Sequence, residues 1–193
     1  MALTDSAVIL PGRGYVFTNT TLDAAPPADT QAELDALDLT SATLLTGWKN
    51  LGHTSRENSV ALDKDGDDPE VKGTWQSPNF RQTPGTTTWL LNIPALQMDN
   101  EVLSLYFGEG DISDPDVFHV LPNALPEERA LFIVMVDGSS RAAIKIAKAA
   151  VSSDDAPEMD PEEFLEFDLQ ATVLDHSGSS GLMSWYRAGL GTP

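Results

Sequence analysis

The sequence predicts a mainly β protein built as a single domain over residues 1–193. Three observations carry that expectation. Two stretches alternate apolar and polar residues with a period of two, Thr86 to Ile93 and Glu163 to Asp175. A third, residues 129–137, is apolar on both faces, as a strand covered on two sides must be. The chain also spends 14 Gly and 13 Pro on 193 residues, which favours short elements joined by turns over long helices.

Taken in order, the apolar Ala7-Val8-Ile9-Leu10 and the turn Pro11-Gly12-Arg13-Gly14 lead into Tyr15-Val16-Phe17, so residues 1–20 read as an arm and first strand. Thr21 to Thr30, with Pro26-Pro27, reads as a surface connection, because each proline removes an N–H and restricts its predecessor. Ala32 to Leu45 has helix formers at Glu33, Leu34 and Leu37 but drifts to strand-like Thr40 to Leu45, and both readings stay open. Gly47 to Thr54 suits the end of a strand. Asn58 to Lys72 gathers Asp63, Asp65, Asp67, Asp68 and Glu70 around Gly66 and Pro69, too polar to offset its ordering entropy, and predicts a long mobile loop. Val71 to Arg81, holding Trp75 and Phe80, is expected as the strand returning from it.

In the Thr86 to Ile93 strand, Thr87, Trp89, Leu91 and Ile93 share one face, and Pro94 is expected to end it. Asp99 then caps a short helix, residues 99–107, with Val102, Leu103, Tyr106 and Phe107 on its apolar side and Gly108 at its C-cap. Asp137-Gly138-Ser139-Ser140 supplies a hairpin turn. Arg141 to Val151 mixes helix-favouring alanines with alternating Ile144, Lys145 and Ile146, and its place after the turn makes it a strand. An acidic linker, Ser152 to Pro161, precedes Glu163 to Asp175, where Leu165, Phe167, Leu169, Ala171 and Val173 face one way and Glu166, Asp168, Gln170 and Thr172 the other. A Gly/Ser turn at Ser177 to Gly181 leads to a last strand, Leu182 to Ala188. All four tryptophans, Trp48, Trp75, Trp89 and Trp185, fall in strand candidates and are expected in the core, with a surface stacking site the second choice for Trp48 or Trp75.

Charge and motifs exclude several functions. With 11 Lys+Arg against 30 Asp+Glu the chain carries −19, which disfavours general attraction to nucleic acid or anionic membrane, since every phosphate contact needs a cation. There is no cysteine, hence no disulfide, thiolate nucleophile or sulfur-bound zinc. No secretory leader or membrane span is readable. Asp63-Lys64-Asp65-Gly66-Asp67 starts like an EF-hand loop, but Asp68 stands where that loop needs Gly and Thr74 where it needs Glu. Gly178-Ser179-Ser180-Gly181 lacks the strand-to-helix setting of a nucleophile elbow. His53, His119 and His176 show no metal or base spacing, and Gly12-Arg13-Gly14 opens no phosphate-binding helix. No enzyme, metal or cofactor is expected.

The segments Ile9 to Phe17, Gly47-Trp48-Lys49-Asn50-Leu51-Gly52-His53-Thr54-Ser55, Gly73-Thr74-Trp75-Gln76 and Glu101 to Gly108, in that order and spacing, resemble the major tail tube proteins of long-tailed bacteriophages with non-contractile tails, in the form found among phages of actinobacteria. The resemblance implies a phage tail tube fold: a β-sandwich or barrel subunit with one flanking helix, a long inter-strand loop and an N-terminal arm. It further implies hexameric rings stacked into a tube that conducts DNA without binding it specifically. Residues 55–72, with Asp63, Asp65, Asp67, Asp68 and Glu70, would be the stacking loop, and Glu166 and Asp168 would face the lumen. Partners implied are further copies of the chain, a tape measure protein, a tail terminator and a distal tail protein, in a virion tail assembled in the host cytoplasm. The rival expectation is a calcium-dependent extracellular β-sandwich that binds a partner.

Overall fold

A computed structural model describes residues 8–44, 47–114, 116–122 and 124–187. Its framework is one antiparallel sheet. Strand β1 (Arg13–Asn19) pairs with the two-residue β2 (Lys49–Asn50) on one side and with β7 (Glu127–Asp137) on the other. Next come β8 (Ser140–Ser153), β9 (Phe167–Val173), β6 (Thr87–Ala95) and, at the far edge, β3 (Ala61–Gly66), while β10 (Met183–Tyr186) pairs with the first half of β8. A separate ribbon joins β4 (Glu70–Lys72) to β5 (Arg81–Thr83). Two helices lie against the sheet, α1 (Gln31–Ala36) and α2 (Asn100–Phe107).

The apolar run on both faces of β7 has the meaning its pattern suggested. Leu131 and Ile133 enter one core, while Ala130, Phe132 and Val134 enter a second core on the opposite face. The tight turn after it holds Gly138 at φ 57, and Asp137 pairs with Ser140 across it.

The mixed composition of β8 has a geometric cause. Arg129 pairs with Ala149 but Leu131 pairs with Ile146, so β8 carries a bulge at Ala147 and Lys148. The extra residue resets the alternation, and Ile144, Ile146, Ala149 and Val151 all reach the same core. Beyond the bulge the sheet folds over, so that β6 and β9 enclose with β1 and β7 a common core in a sandwich-like arrangement. α2 covers that core with Val102, Leu105 and Tyr106 buried. Asp99 accepts from the Val102 N–H at 2.9 Å, and Gly108 takes φ 82, as the cap signals required. Leu105, absent from the expected apolar side, is buried, whereas Leu103 and Phe107 pack only partly.

The second core is roofed by the segment that composition left open. Thr30 and Glu33 form a capping box that starts α1, and Leu34 is buried beneath it. Arg141 on β8 donates to the carbonyls of Leu34 (2.9 Å) and Leu37 (2.8 Å), satisfying the helix's C-terminal end. Thr21 to Thr30 is irregular, as expected, yet it buries Ala24 and Ala28, and Trp48, fully buried, donates its indole N–H to the Ala25 carbonyl at 2.8 Å. Lys145, whose side chain lies between β8 and this segment, is neutralised by Asp23 at 2.7 Å.

Several expectations need correction. The strand before Pro94 continues through it to Ala95, because the missing N–H falls past the end of β3, while β9 pairs on one side and the Pro94 carbonyl accepts from the Ser55 N–H at 2.9 Å on the other. The last strand spans only Met183–Tyr186, with residue 188 outside the described part, as are residues 1–7 of the arm and 45–46 of the open segment. Of the tryptophans only Trp48 is fully buried; Trp89 is half-buried, Trp185 is 53% exposed and Trp75 has 103% relative exposure.

Candidate assembly surfaces

The acidic stretch is not a mobile loop. Ala61 to Gly66 forms the edge strand β3, in register with β6 from Ala61↔Asn92 to Gly66↔Thr87. The Asp67 N–H donates to the Thr86 carbonyl at 3.1 Å, after which Asp68 and Pro69 lead into β4, and β5 returns to β6. The whole is a hairpin arm projecting from the sheet, with Gly73 to Phe80 as its tip. What the sequence hid was a period of two: Val60 and Leu62 pack on the core, while Asp63 and Asp65 point the other way. Pairing of backbone groups with β6, rather than apolar burial, holds this strand.

The acidic residues are spread along that arm. Asp63 accepts from Asn92 Nδ2 at 3.0 Å, Asp65 accepts from the Gly66 N–H at 2.8 Å, and Asp67 accepts from Thr86 Oγ1 at 3.0 Å. Asp68 is exposed, and Glu70 pairs with Lys72 at 3.3 Å in full solvent. Among the described residues no three acidic or histidine side chains converge as a metal site would require. Gly66 sits at φ 152 with its α-carbon against the strand opposite, where a Cβ would meet the Thr86 carbonyl oxygen at 2.1 Å. The arm therefore leaves the sheet at a position only glycine fills.

Its tip carries what sequence reasoning assigned to the core. Trp75 and Phe80 are exposed, Phe80 by 68%, and Val71 is exposed beside them. Lys72 and Arg81 pair directly across the ribbon. A signal for this was present: in so acidic a chain, the stretch from Val71 to Thr83 contains two cations and no acid.

Glu166 and Asp168 are brought together as expected, on the face of β9 opposite the core. Phe167, Leu169, Ala171 and Val173 are buried, while Asp168, Gln170 and Thr172 are half-buried. Glu166 accepts from Asn58 Nδ2 at 3.0 Å, and Asp154 accepts from Gln170 Nε2 at 3.1 Å. Burial, then the neighbouring carboxylates Glu166, Asp154 and Asp155, and a hydrogen bond with Glu166 push the Asp168 carboxyl above its ordinary range. Strand pairing sets Asn92 beside Gln170, and Asp63 on β3 reaches Asn92, so the same polar face runs across β9, β6 and β3. On β7 and β8 it continues with Glu128 and Lys148, paired at 2.9 Å.

A third set fixes α2 against the sheet. Glu101 accepts from Thr18 Oγ1 at 3.0 Å and pairs with Lys49 at 2.8 Å, and Arg129 lies between Glu101 and Glu127, with which it is also paired.

Among the described residues the surfaces are those of a building block: a sheet with a core on each side, an uncovered polar face and a projecting arm with an apolar tip. The phage tail tube protein family model matches residues 1–192, and the chain belongs to that family of structural tail proteins. It is 35% identical over 180 residues to the major tail protein Gp23 of Mycobacterium phage D29, covering 91% of this chain and 89% of that one. The corresponding protein of Mycobacterium phage L5 is 34% identical over the same shares.

Proposed function

We propose that this tail tube subunit closes into hexameric rings that stack into the conduit for DNA, with the polar face of β9 turned to the bore and the hairpin arm bridging one ring to the next. The observation that carries the reading is the strict alternation of β9, apolar residues buried and Asp168, Gln170 and Thr172 left half-open, continued by Asn92 and Asp63 on neighbouring strands. A wall of this kind repels phosphate. A ring of six carries six times −19, or −114 formal charges, and with Lys148 on this face already paired with Glu128, DNA slides with little counterion release to hold it.

The arm has Asp63 and Asp65 at its base and Asp67, Asp68 and Glu70 leading to its tip, and beyond Leu62 it adds no residue to either core. Its length serves reach. The tube ends on a terminator and a distal tail protein, and a tape measure protein occupies it during assembly; the chain itself performs no catalysis and needs no cofactor. The calcium-dependent binding module is set aside by family membership and by the spread of Asp63, Asp65 and Asp67 along a strand.

Replacing residues 68–85 by Asn-Gly tests the arm. Asp67 and Thr86 are already hydrogen-bonded neighbours, so a two-residue turn closes β3 on β6. The expected product is a folded subunit that forms single rings but no tubes by electron microscopy. Tubes of normal length from this variant would refute the bridging role.

A further inference from the structure

We infer that the tip of the arm docks on a second copy of the chain, in the groove walled by Glu109, Leu121, Ala124, Leu125 and Pro126. The inference rests on the reading that the arm bridges rings, and adds to it the site that receives the tip. The groove is an open depression of about 570 Å³ beside the start of β7, with room for an aromatic side chain laid along it. Leu121 and Leu125 on its rim are 45% and 79% exposed, and among the described residues nothing covers Trp75 and most of Phe80 is left open. A contact between two different surfaces, tip on one copy and groove on the next, is head-to-tail, and it propagates along an axis wherever the rotation does not close a ring.

Charge supports the same partner. Residues 109–129 hold six acidic residues and one arginine, a net of −5, whereas residues 71–83 hold Lys72 and Arg81 and no acid. That single arginine, Arg129, is already engaged by Glu127 and Glu101, so it does not repel an incoming cation. Glu109 is exposed at the groove where Arg81 would arrive, whereas Glu128, also on its wall, is already paired with Lys148.

Size explains why such a contact suits a tube. Trp75 and Phe80 offer roughly 150–250 Å² each. With an equal area from the groove, one junction stays below the roughly 1,000 Å² that a stable pair needs. Dilute subunits then remain apart, while the junctions of a whole ring act together.

The absence of native cysteine makes the test direct. Subunits carrying Ser77→Cys are mixed with subunits carrying Leu125→Cys, assembled, and exposed to a mild oxidant, with Ser179→Cys replacing the groove cysteine as control. The expected result is a cross-linked pair in tubes with the groove cysteine and at least tenfold less with the control. In parallel, Trp75→Ala with Phe80→Ala, and separately Leu121→Asp with Leu125→Asp, each lower tube yield at least tenfold, and Arg81→Glu is rescued by Glu109→Lys. Ser77 and Ser179 are half-buried and the other substituted side chains exposed, so folding is checked by an unchanged melting temperature. If the tip variants block stacking but the groove variants assemble normally and no cross-link forms, the groove is wrong and the arm's bridging role stands. If the tip variants also assemble normally, the bridging role itself is wrong.

Discussion

The sharpest consequence of a repelling bore is that reversing its charge makes DNA stick. Glu166→Lys with Asp168→Lys changes each subunit by +4, from −19 to −15, and a ring of six by 24 units, all on one face of the sheet. The fold should tolerate it: Glu166 loses the hydrogen bond it accepts from Asn58 and the one it shares with Asp168, and Asp168 is a carboxylate held against burial and like charge, so no favourable ion pair is lost. Each lysine that reaches a phosphate adds about −0.9 to the slope of log affinity against log salt. If only two of the twelve lysines in a ring engage, the slope is about −1.8, and retention falls about twelvefold between about 50 and about 200 mM salt. The assay is triggered DNA release from phage built with the variant, followed at several salt concentrations beside tail length by microscopy. The expected outcome is tails of normal length, slow or arrested release at low salt, and partial recovery as salt rises. Normal release at every salt concentration would refute the assignment of this face to the bore.

Asp168→Asn should raise the melting temperature at pH 7. A carboxyl raised in the fold binds its proton more tightly there than in the unfolded chain, so native stability falls as pH climbs through the interval from the ordinary aspartate range to the raised one. The variant should flatten that fall, and parallel pH profiles for both proteins would count against it. Leu105→Ala should cost about 2–5 kcal/mol, or roughly 4–20 °C of melting temperature for a chain this size, while Leu103→Ala, half-buried in α2, costs much less; thermal unfolding of the two separates them. Arg141→Ala removes two charge-assisted hydrogen bonds at the end of α1, each worth about 1.5–3 kcal/mol, and should speed amide exchange across Gln31–Ala36 before the rest of the sheet is affected.

What could be read from residues alone was the part of the fold whose causes are local. The period of two in β9, the two-sided apolar run of β7 and the Asp99 and Gly108 caps of α2 each follow from nearest neighbours, and all three appear where expected. The capping box Thr30-x-x-Glu33 was equally local and would have decided the open segment in favour of a short helix there. Other features depend on distant partners. The bulge in β8 exists because Leu131 and Arg129 of β7 must both pair with it, and no window of β8 alone contains that fact. Trp75 was placed in the core because an aromatic residue in a strand usually has a sheet to pack on, whereas its ribbon stands clear of every other strand. The acidic arm misled for a related reason: charge density signals disorder only when the backbone lacks a partner, and β6 supplies one.

The same arm bears on how a subunit rich in β-structure stays unpolymerised until its time. A sheet has edges, and each edge offers unpaired N–H and C=O groups to any other strand. Here one edge, β2, is only two residues long. A second, β10, has four residues, and the third, β3, is six residues long and would be the hazard, yet it presents Asp63, Lys64 and Asp65 in succession. Two such edges meeting antiparallel would bring aspartates against aspartates in several registers, at a cost that like charges directly opposite impose. The strand is thus protected by the charges that, on the reading given above, continue the repelling wall of the bore toward the arm. One set of carboxylates then serves two conditions, discouraging edge pairing while subunits are free and denying phosphate a foothold once they are assembled. It follows that neutralising Asp63 and Asp65 affects both states. The free protein with Asp63→Asn and Asp65→Asn becomes more prone to irregular aggregation, even though neither side chain supports the core.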